Sequence, residues 1–568
     1  MREMAVVEGL LEKRRRRIGG NSHMRTTALL AKLLAVVTAL SLTAVHAALP
    51  GFDFTASTGS EAWVAQHDIS SLTPTAEGLR VQINGSDPYL AGPARDYPAD
   101  TPLWLRIRLK SEQGGMAQVF YFKDGSVPTE GDSVRFVVPA GDWFEAKVRT
   151  SAMGPGYRLR IDPPGSGGVC TLGTLRFEPR LTLSAPAWPK PTTPDIEPDA
   201  ASLKSGDLKL IHGRRGLGEF EVQVAGRRVA RGNNRALIGY VEKGQVRWLP
   251  FGYGTNAIVT VHYQPVTQLA DRFIGGLIRA KAVCSDVDGG QWEIEQTFSM
   301  SWAGTLEVSS RVVVDRARDV LYLPMLTLMP GLGSYGTNKT QALFAGVEYL
   351  DNEPSSSAAD LNPPASNRQV PDVLKLTFPL MVVAVEGDYV GLAWNRDQPN
   401  LCAVFDTPDR LFGSGAQVMG LLFPGSDGMN REESSLIPYD TVRLEANRSV
   451  TAVALMLGGR GKTVVPAVQQ FVSIFGLPPV PNIGMEPKDY YALAAHGWLD
   501  SKIRDGDRYR HAADVNFGSM PSADAALYMD WLAAKVGDAG LSARLTEAAG
   551  AALAQVRPPN YNSAQVGH

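Results

Sequence analysis

Five stretches decide the fold: ALIGYVEKGQVRWLPF (236–251), RFIGGLIRAKAVC (272–284), QWEIEQTFSMSW (291–302), TLEVSSRVVVD (305–315) and VLKLTFPLMVVAVEGDYVGLAW (373–394). Each is rich in β-branched, aromatic and other apolar residues, and several alternate with polar ones at a period of two, as strands do. DLKLIH (207–212), EFEVQVAGRRVA (219–230), AIVTVHY (257–263) and TVRLEA (441–446) extend the pattern. The whole region, 204–462, is β and too long for one small sandwich.

Upstream, residues 49–180 carry shorter strands parted by Gly, Pro, Asp and Ser, among them TPLWLRIRLK (101–110), MAQVFYF (116–122) and YRLRID (157–162). Strands spaced this closely predict a jelly-roll β-sandwich. The stretch resembles the accessory carbohydrate-binding modules of secreted polysaccharide-active proteins. Its aromatics Trp63, Tyr89, Trp104, Tyr121 and Trp143 have two readings, sugar-stacking rings or strand core. Between the β regions lies a linker, 181–203, with five prolines from Pro186 to Pro198. Proline density of that order predicts a semi-rigid extended spacer.

After 463 the period changes to 3.6. Val464 to Phe475 places Val468, Phe471, Val472 and Phe475 on one face, with Pro466 in the first turn and Gly476 past the end. Pro487 to Ile503 repeats the pattern with Tyr490, Leu493, Ala494 and Trp498; Pro521 to Val536 and Leu541 to Val556 follow. Helical hairpins are expected over 463–568.

Composition narrows the function classes. The chain has 568 residues, 44% hydrophobic and 20% charged, with a net charge of -2 from 56 basic and 58 acidic residues. That balance supplies no global field for nucleic acid or an anionic membrane. The uncharged run LLAVVTALSLTAV (33–45), preceded by Lys32 and followed by Val45-His46-Ala47, predicts a signal peptide cleaved near Ala47, with Met24 as the natural start and a secreted or periplasmic product. No later segment reads as a membrane span. Cys170, Cys284 and Cys402 are odd in number and far apart, which excludes a disulfide framework. No HExxH motif or His/Cys cluster suggests a metal, and no cofactor is expected. GGRGKT (458–463) lacks the first glycine of a P-loop, because Met456 stands there, and Gly331 to Gly336 fits GxGxxG without a following helix, so no nucleotide is expected.

The order of a β-supersandwich followed by helical hairpins resembles the glycoside hydrolases and phosphorylases in which an (α/α)6 toroid follows a galactose-mutarotase-like sandwich. The segments that carry the resemblance are FAGVEYLDNEPSSS (344–357), GLAWNRDQ (391–398), HGWLDSKIRDG (496–506) and YRHA (509–512). It implies a mainly β chain with C-terminal α: a jelly roll, a supersandwich and the start of a toroid. Twelve helices need on the order of 300 residues, and 105 follow position 463; the expectation is a truncated toroid, with a smaller four-helix bundle as the other reading.

Glycosidases work with two carboxyl groups across the scissile bond. The catalytic candidates are Asp500 and Asp505, with Trp498, Arg510 and His511 beside them as stacking and hydrogen-bonding groups. Glu348 and Tyr349 sit in a long Ser- and Asn-rich loop that could meet sugar hydroxyls. Trp394, Asn395 and Asp397 end an apolar strand and offer a ring with polar neighbours. The partner implied is a poly- or oligosaccharide, and the function is an exported carbohydrate-active protein, glycoside hydrolase-related. The alternative is a non-catalytic glycan-binding protein.

Overall fold

The computed structural model describes residues 49–556 apart from 57–59, 256, 270–271, 302–303, 356–367, 433–434, 478–481, 483 and 511–517; of the side chains of 266–275 only the backbone strand is described. The run 33–45, expected to be a signal peptide, and His511 lie outside the described residues. The chain forms two compact units, Met1–Phe475 and Gly476–His568. It is mainly β, with a small helical part at its C-terminal end.

The first sandwich packs a sheet ordered Ile69–Thr75, Gly78–Ile83, Gly168–Pro179, Leu103–Ser111, Trp143–Thr150 against a second ordered Val64–His67, Tyr89–Ala91, Tyr157–Asp162, Gly115–Lys123, Ser133–Val138. Strict alternation in LWLRIRLKS puts Leu103, Leu105, Ile107 and Leu109 inward and Trp104, Arg106, Arg108 and Lys110 outward. Leu79, Val81, Val119, Leu159 and Ile161 complete the core from the neighbouring strands.

The second sandwich is larger. One sheet of ten strands starts at Ala201–Ser205 and includes the long strand Arg318–Pro330; the other has nine, from Ile258–Leu269 to Glu348–Leu350. Ser449–Arg460 returns late in the chain to lie between Thr305–Val314 and Asp388–Trp394. Leu210, Val222, Tyr240, Leu326, Ile294, Phe298, Val383, Leu392 and Met456 fill the space between the sheets.

A buried ion pair pins the two sheets at one end. Asp286, in the turn after Arg272–Ser285 of the nine-stranded sheet, accepts from Arg318 Nε at 2.9 Å and Nη2 at 3.1 Å, at the start of a central strand of the other. Trp292 Nε1 at 2.9 Å and the backbone N–H of Gly290 at 2.7 Å donate to the same carboxylate. Tyr240 reaches across to Asp288 at 2.9 Å. Burial by itself would raise the Asp286 pKa; the hydrogen bonds from Arg318, Trp292 and Gly290 outweigh it and hold the carboxyl below its ordinary value.

The linker is not a free spacer. Trp188 packs its ring against Tyr322 at 4.7 Å, Trp248 at 5.6 Å and Phe412 at 5.8 Å. Asn234 exchanges hydrogen bonds with Thr192 at 3.0 and 3.1 Å, and Arg231 Nη1 donates to the Pro194 carbonyl at 2.9 Å. Proline rigidity keeps the segment extended, and these contacts strap it to the ten-stranded sheet. The first sandwich is held too: Lys147 pairs with Asp440, and the Tyr439 ring lies 4.5 Å from the Arg149 guanidinium and 5.1 Å from that of Arg180.

Helix α1, Val465–Phe475, covers part of the outer face of the nine-stranded sheet, burying Ala467 and Phe471 against Leu380, Val382, Tyr389 and Leu457. It therefore belongs with the β unit. The second unit comprises α2 (Pro487–Asp500), a short hairpin of Arg504–Asp505 with Arg508–Tyr509, α3 (Ala523–Ala533) and α4 (Ala539–Gln555). Ser522 and Asp538 cap α3 and α4 by accepting from the N–H of Ala525 and Leu541. The apolar face expected for 487–503 turns: Ala495 and Leu499 are buried, whereas Tyr490 and Leu493 are exposed.

Two stability predictions follow from the second sandwich. Asp286→Ala removes the closer of the two carboxylates paired with the buried Arg318 guanidinium, leaving Glu242 at 3.5 Å, and should cost up to about 3–5 kcal/mol, measured by denaturant unfolding of the β unit; a loss under about 1 kcal/mol contradicts the pinning role. His212 is fully buried between Phe220 and Phe298, and burial pushes its imidazole down to about 4. Below the ordinary value of about 6.5 the unfolded chain takes up this proton and the folded chain does not, so stability present above pH 6.5 is lost as pH falls towards 4. The wild type should lose stability between pH 6.5 and 5 more steeply than His212→Gln does, and equal slopes would count against the assignment.

Candidate functional site

The aromatics of the first sandwich divide cleanly. Trp63 and Tyr121 are 2% and 3% exposed and belong to the core. The three that reach the surface are each covered by a cation: Arg108 lies 3.9 Å from the Trp143 ring, Lys147 4.4 Å from Trp104 and Arg160 3.7 Å from Tyr89. His67 also stacks on Tyr89 at 5.5 Å. A sugar ring would have to displace contacts worth about 0.5–1 kcal/mol each.

Trp394 does not reach a ligand. It is 5% exposed and packs in the core between the large sheets, because inward alternation along Asp388–Trp394 carries it there. Asn395 spends its side-chain oxygen on the Asp397 N–H at 2.9 Å, an Asx turn that ends the strand, and Asp397 is exposed beside it. Glu348 is buried and accepts from Ser355 Oγ at 2.6 Å. Tyr349, its neighbour, points the other way into solvent and accepts from Gln341 Nε2 at 2.8 Å. Glu348 and Tyr349 thus stand on opposite faces of one strand and cannot grip one sugar together.

The helical unit gathers the other candidates. Asp500, at the end of α2, is held by His496 Nδ1 at 2.7 Å and by Arg544 of α4. The hydrogen bond from His496, then that from Arg544, keeps its carboxyl below the ordinary value. A general acid needs the opposite shift. Asp505 is held by Arg510 Nη2 and Ser519 Oγ, both at 2.8 Å. Both carboxylates are partly exposed, and they can accept hydrogen bonds from hydroxyls.

Beside them runs a continuous series of rings on α2, the hairpin and α3. Tyr490 meets Tyr491 at 6.3 Å, Tyr491 meets Trp531 at 5.9 Å, Trp531 meets Tyr528 at 5.4 Å, Tyr528 meets Trp498 at 5.7 Å, and Trp498 meets Tyr509 at 5.5 Å. Tyr490 and Trp531 are 42% and 44% exposed, Tyr491, Tyr528 and Trp498 half-buried, and Tyr509 buried. Trp498 stands against Tyr509 near the buried end of this row rather than alone next to Asp500. The sequence pattern assigned Tyr490 to the apolar face of its helix; only the crossing of α2 and α3 brings it into one row with Tyr528 and Trp531.

A second feature had no sequence motif. A cleft of about 460 Å³ opens between linker residues 195–198 and the outer face of the first strands of the ten-stranded sheet. Register builds its floor: Ser202, Ile211, Glu221 and Arg231 lie side by side across four strands, and Lys204, Lys209, Gln223 and Arg228 form the next row. Glu221 accepts from Arg228 Nε at 2.8 Å and stands 3.4 Å from Arg231 Nη2. The signal available in the sequence was the polar half of each alternating strand; strand order and register are not written there. Among the described residues no group of three or more His, Cys, Asp or Glu side chains is placed to hold a metal, and no helix is long and apolar enough to cross a membrane.

Neither protein-family models nor curated protein sequences give a match to the chain. Solved structures do. A galactose 1-epimerase from Lactobacillus acidophilus aligns over 46% of this chain and 93% of its own, at 8% identity and a TM-score of 0.26. A variant of a Glycoside Hydrolase Family 97 enzyme from Pseudoalteromonas aligns over 59% of this chain and 46% of its own, at 12% identity and a TM-score of 0.29. The carbohydrate-binding module CBM35 from Paenibacillus barcinonensis aligns over 23% of this chain and 98% of its own, at 14% identity and a TM-score of 0.18. The chain spans about half the length of the family 97 enzyme it matches.

The geometry around Asp500 makes a prediction of its own. Removing the larger of its two stabilising contacts in His496→Ala should move the carboxyl titration upward towards the ordinary aspartate value, read by carbon NMR of the side-chain carboxyl; an unmoved titration would show that the histidine does not hold it.

Proposed function

We propose that the chain is a carbohydrate-active protein of glycoside hydrolase-like architecture that holds a poly- or oligosaccharide, and that it works outside the cytoplasm. The row of rings from Tyr490 to Trp498 on the helical unit carries this reading. The C–H faces of sugars pack on aromatic rings, and their hydroxyls need donors and acceptors at the rim. Asp500, Arg544, Asp505 and Arg510 are such groups on the same unit. Composition agrees, since a net charge of -2 favours an uncharged or weakly charged partner over nucleic acid. The apolar run 33–45 supports export.

Binding is the better-supported half of this activity. Both candidate carboxylates are tied to guanidinium groups, and Asp500 is shifted away from the protonated state that a general acid requires. A non-catalytic glycan-binding role is therefore the second reading, favoured by that shift.

One experiment separates the two. The full chain is tested against a polysaccharide panel for retention on insoluble glycan and for release of reducing ends. Trp531→Ala, which removes an exposed ring, should weaken retention about tenfold, while circular dichroism stays native. Release of reducing ends that Asp505→Asn abolishes supports the hydrolase; retention without release supports the binder. No retention on any glycan would defeat both.

A further inference from the structure

The cleft beneath the linker has a charge pattern that the helical unit does not share. Its floor carries Lys209, Arg228 and Arg231 against the single carboxylate of Glu221. Glu221 is already engaged by both arginines and by Gln223 Nε2 at 2.7 Å. Lys209 has no hydrogen bond or ion pair among the described residues, and its partner across the strand pair is another lysine, Lys204, equally unpaired. Like charges placed opposite one another across a sheet cost stability. Of these two lysines only Lys209 lines the cleft, and beside Arg228 and Arg231, which share Glu221, its ammonium is the cation to which an entering anion can pair.

The wall has the opposite need. Glu197 accepts from Arg215 through Oε1 at 2.9 Å and its Oε2 is closed off from solvent, which leaves Asp195 as the wall's acceptor for an incoming hydroxyl. The Asp195 carboxylate lines the same wall. Ile196, Pro198 and Ile211 provide apolar surface between wall and floor. The volume, about 460 Å³, falls within the range of small-molecule sites, roughly 300–1,000 Å³.

Resting on the carbohydrate reading above, we propose that this cleft binds an acidic sugar unit, a uronate, with its carboxylate against Lys209 and a hydroxyl donating to Asp195. The ligand must bring one anionic group and several hydroxyl donors on a compact ring with an apolar face. A uronate meets all three requirements at once. A neutral sugar leaves Lys209 unpaired, and a simple carboxylate leaves Asp195 without a hydroxyl donor. The strapped linker is then one wall of a binding site as well as a connection between the sandwiches.

The test uses the full chain in calorimetric titrations with methyl uronides of gluco and galacto configuration, the matched neutral methyl glycosides, and acetate. A uronide should bind about tenfold or more tightly than its neutral counterpart and than acetate, with affinity falling as salt is raised. Lys209→Met should erase that preference, while Asp195→Asn weakens the uronide and the neutral glycoside alike and leaves their ratio. Equal affinity for uronide and glycoside, equal affinity for uronide and acetate, or a preference that survives Lys209→Met each overturns the proposal. If no uronide binds although the chain is retained on polysaccharide through Trp531, the acidic-sugar cleft fails and the carbohydrate reading stands. If retention is lost as well, both fail.

Discussion

The buried pairing of Asp286 with Arg318 ties the large sandwich together. Two sheets that meet only through apolar side chains can slide, because the hydrophobic effect has no direction. A bidentate guanidinium–carboxylate contact has direction, and here it joins a hairpin turn of one sheet to the start of a central strand of the other. Trp292 and the Gly290 N–H complete the shell of the same carboxylate, so the turn, its strand and the opposing sheet share one geometry. With that end fixed, the long central strand Arg318–Pro330 pairs with four others, Arg227–Gly232, Arg235–Glu242, Val418–Phe423 and Val442–Leu444.

Cations and aromatic rings are used differently in different parts of the molecule. On the first sandwich every surface ring named above carries an arginine or lysine, and Tyr439 joins the two sandwiches between two guanidinium groups. Those rings contribute to structure and cohesion. On the helical unit the rings contact one another, and Tyr490 and Trp531 keep open surface. The contrast moves the open ring surface from the first sandwich, where the residue types first suggested it, to the helices.

Much of the fold was legible in the strands and helices themselves. Alternation in LWLRIRLKS and QWEIEQTFSM separates inward from outward positions, and Pro466 and Gly476 mark helix ends by local chemistry, whereas the caps Ser522 and Asp538 emerge only in the structure. The site was less legible. Trp394 looked like an available ring because it ends a strand next to polar residues, but whether a strand-end residue faces core or solvent depends on the sheet packed against it. The Pro-rich linker looked like a spacer because its stiffness is local and its attachment through Trp188 and Thr192 is not.

By itself, the sequence determined the class of each region: period two up to 462, period 3.6 after it, a stiff connection at 181–203, and no charge excess. Those properties depend on residues within a few positions of one another. Only the tertiary structure decided that Ser202, Ile211, Glu221 and Arg231 form one row, that Lys204 faces Lys209, and that Tyr490 stands in line with Trp531. Strand order, register and helix crossing set those neighbours, and each is fixed by burial of side chains distant in the chain. Local periodicity therefore names the elements, while long-range packing chooses which polar groups meet.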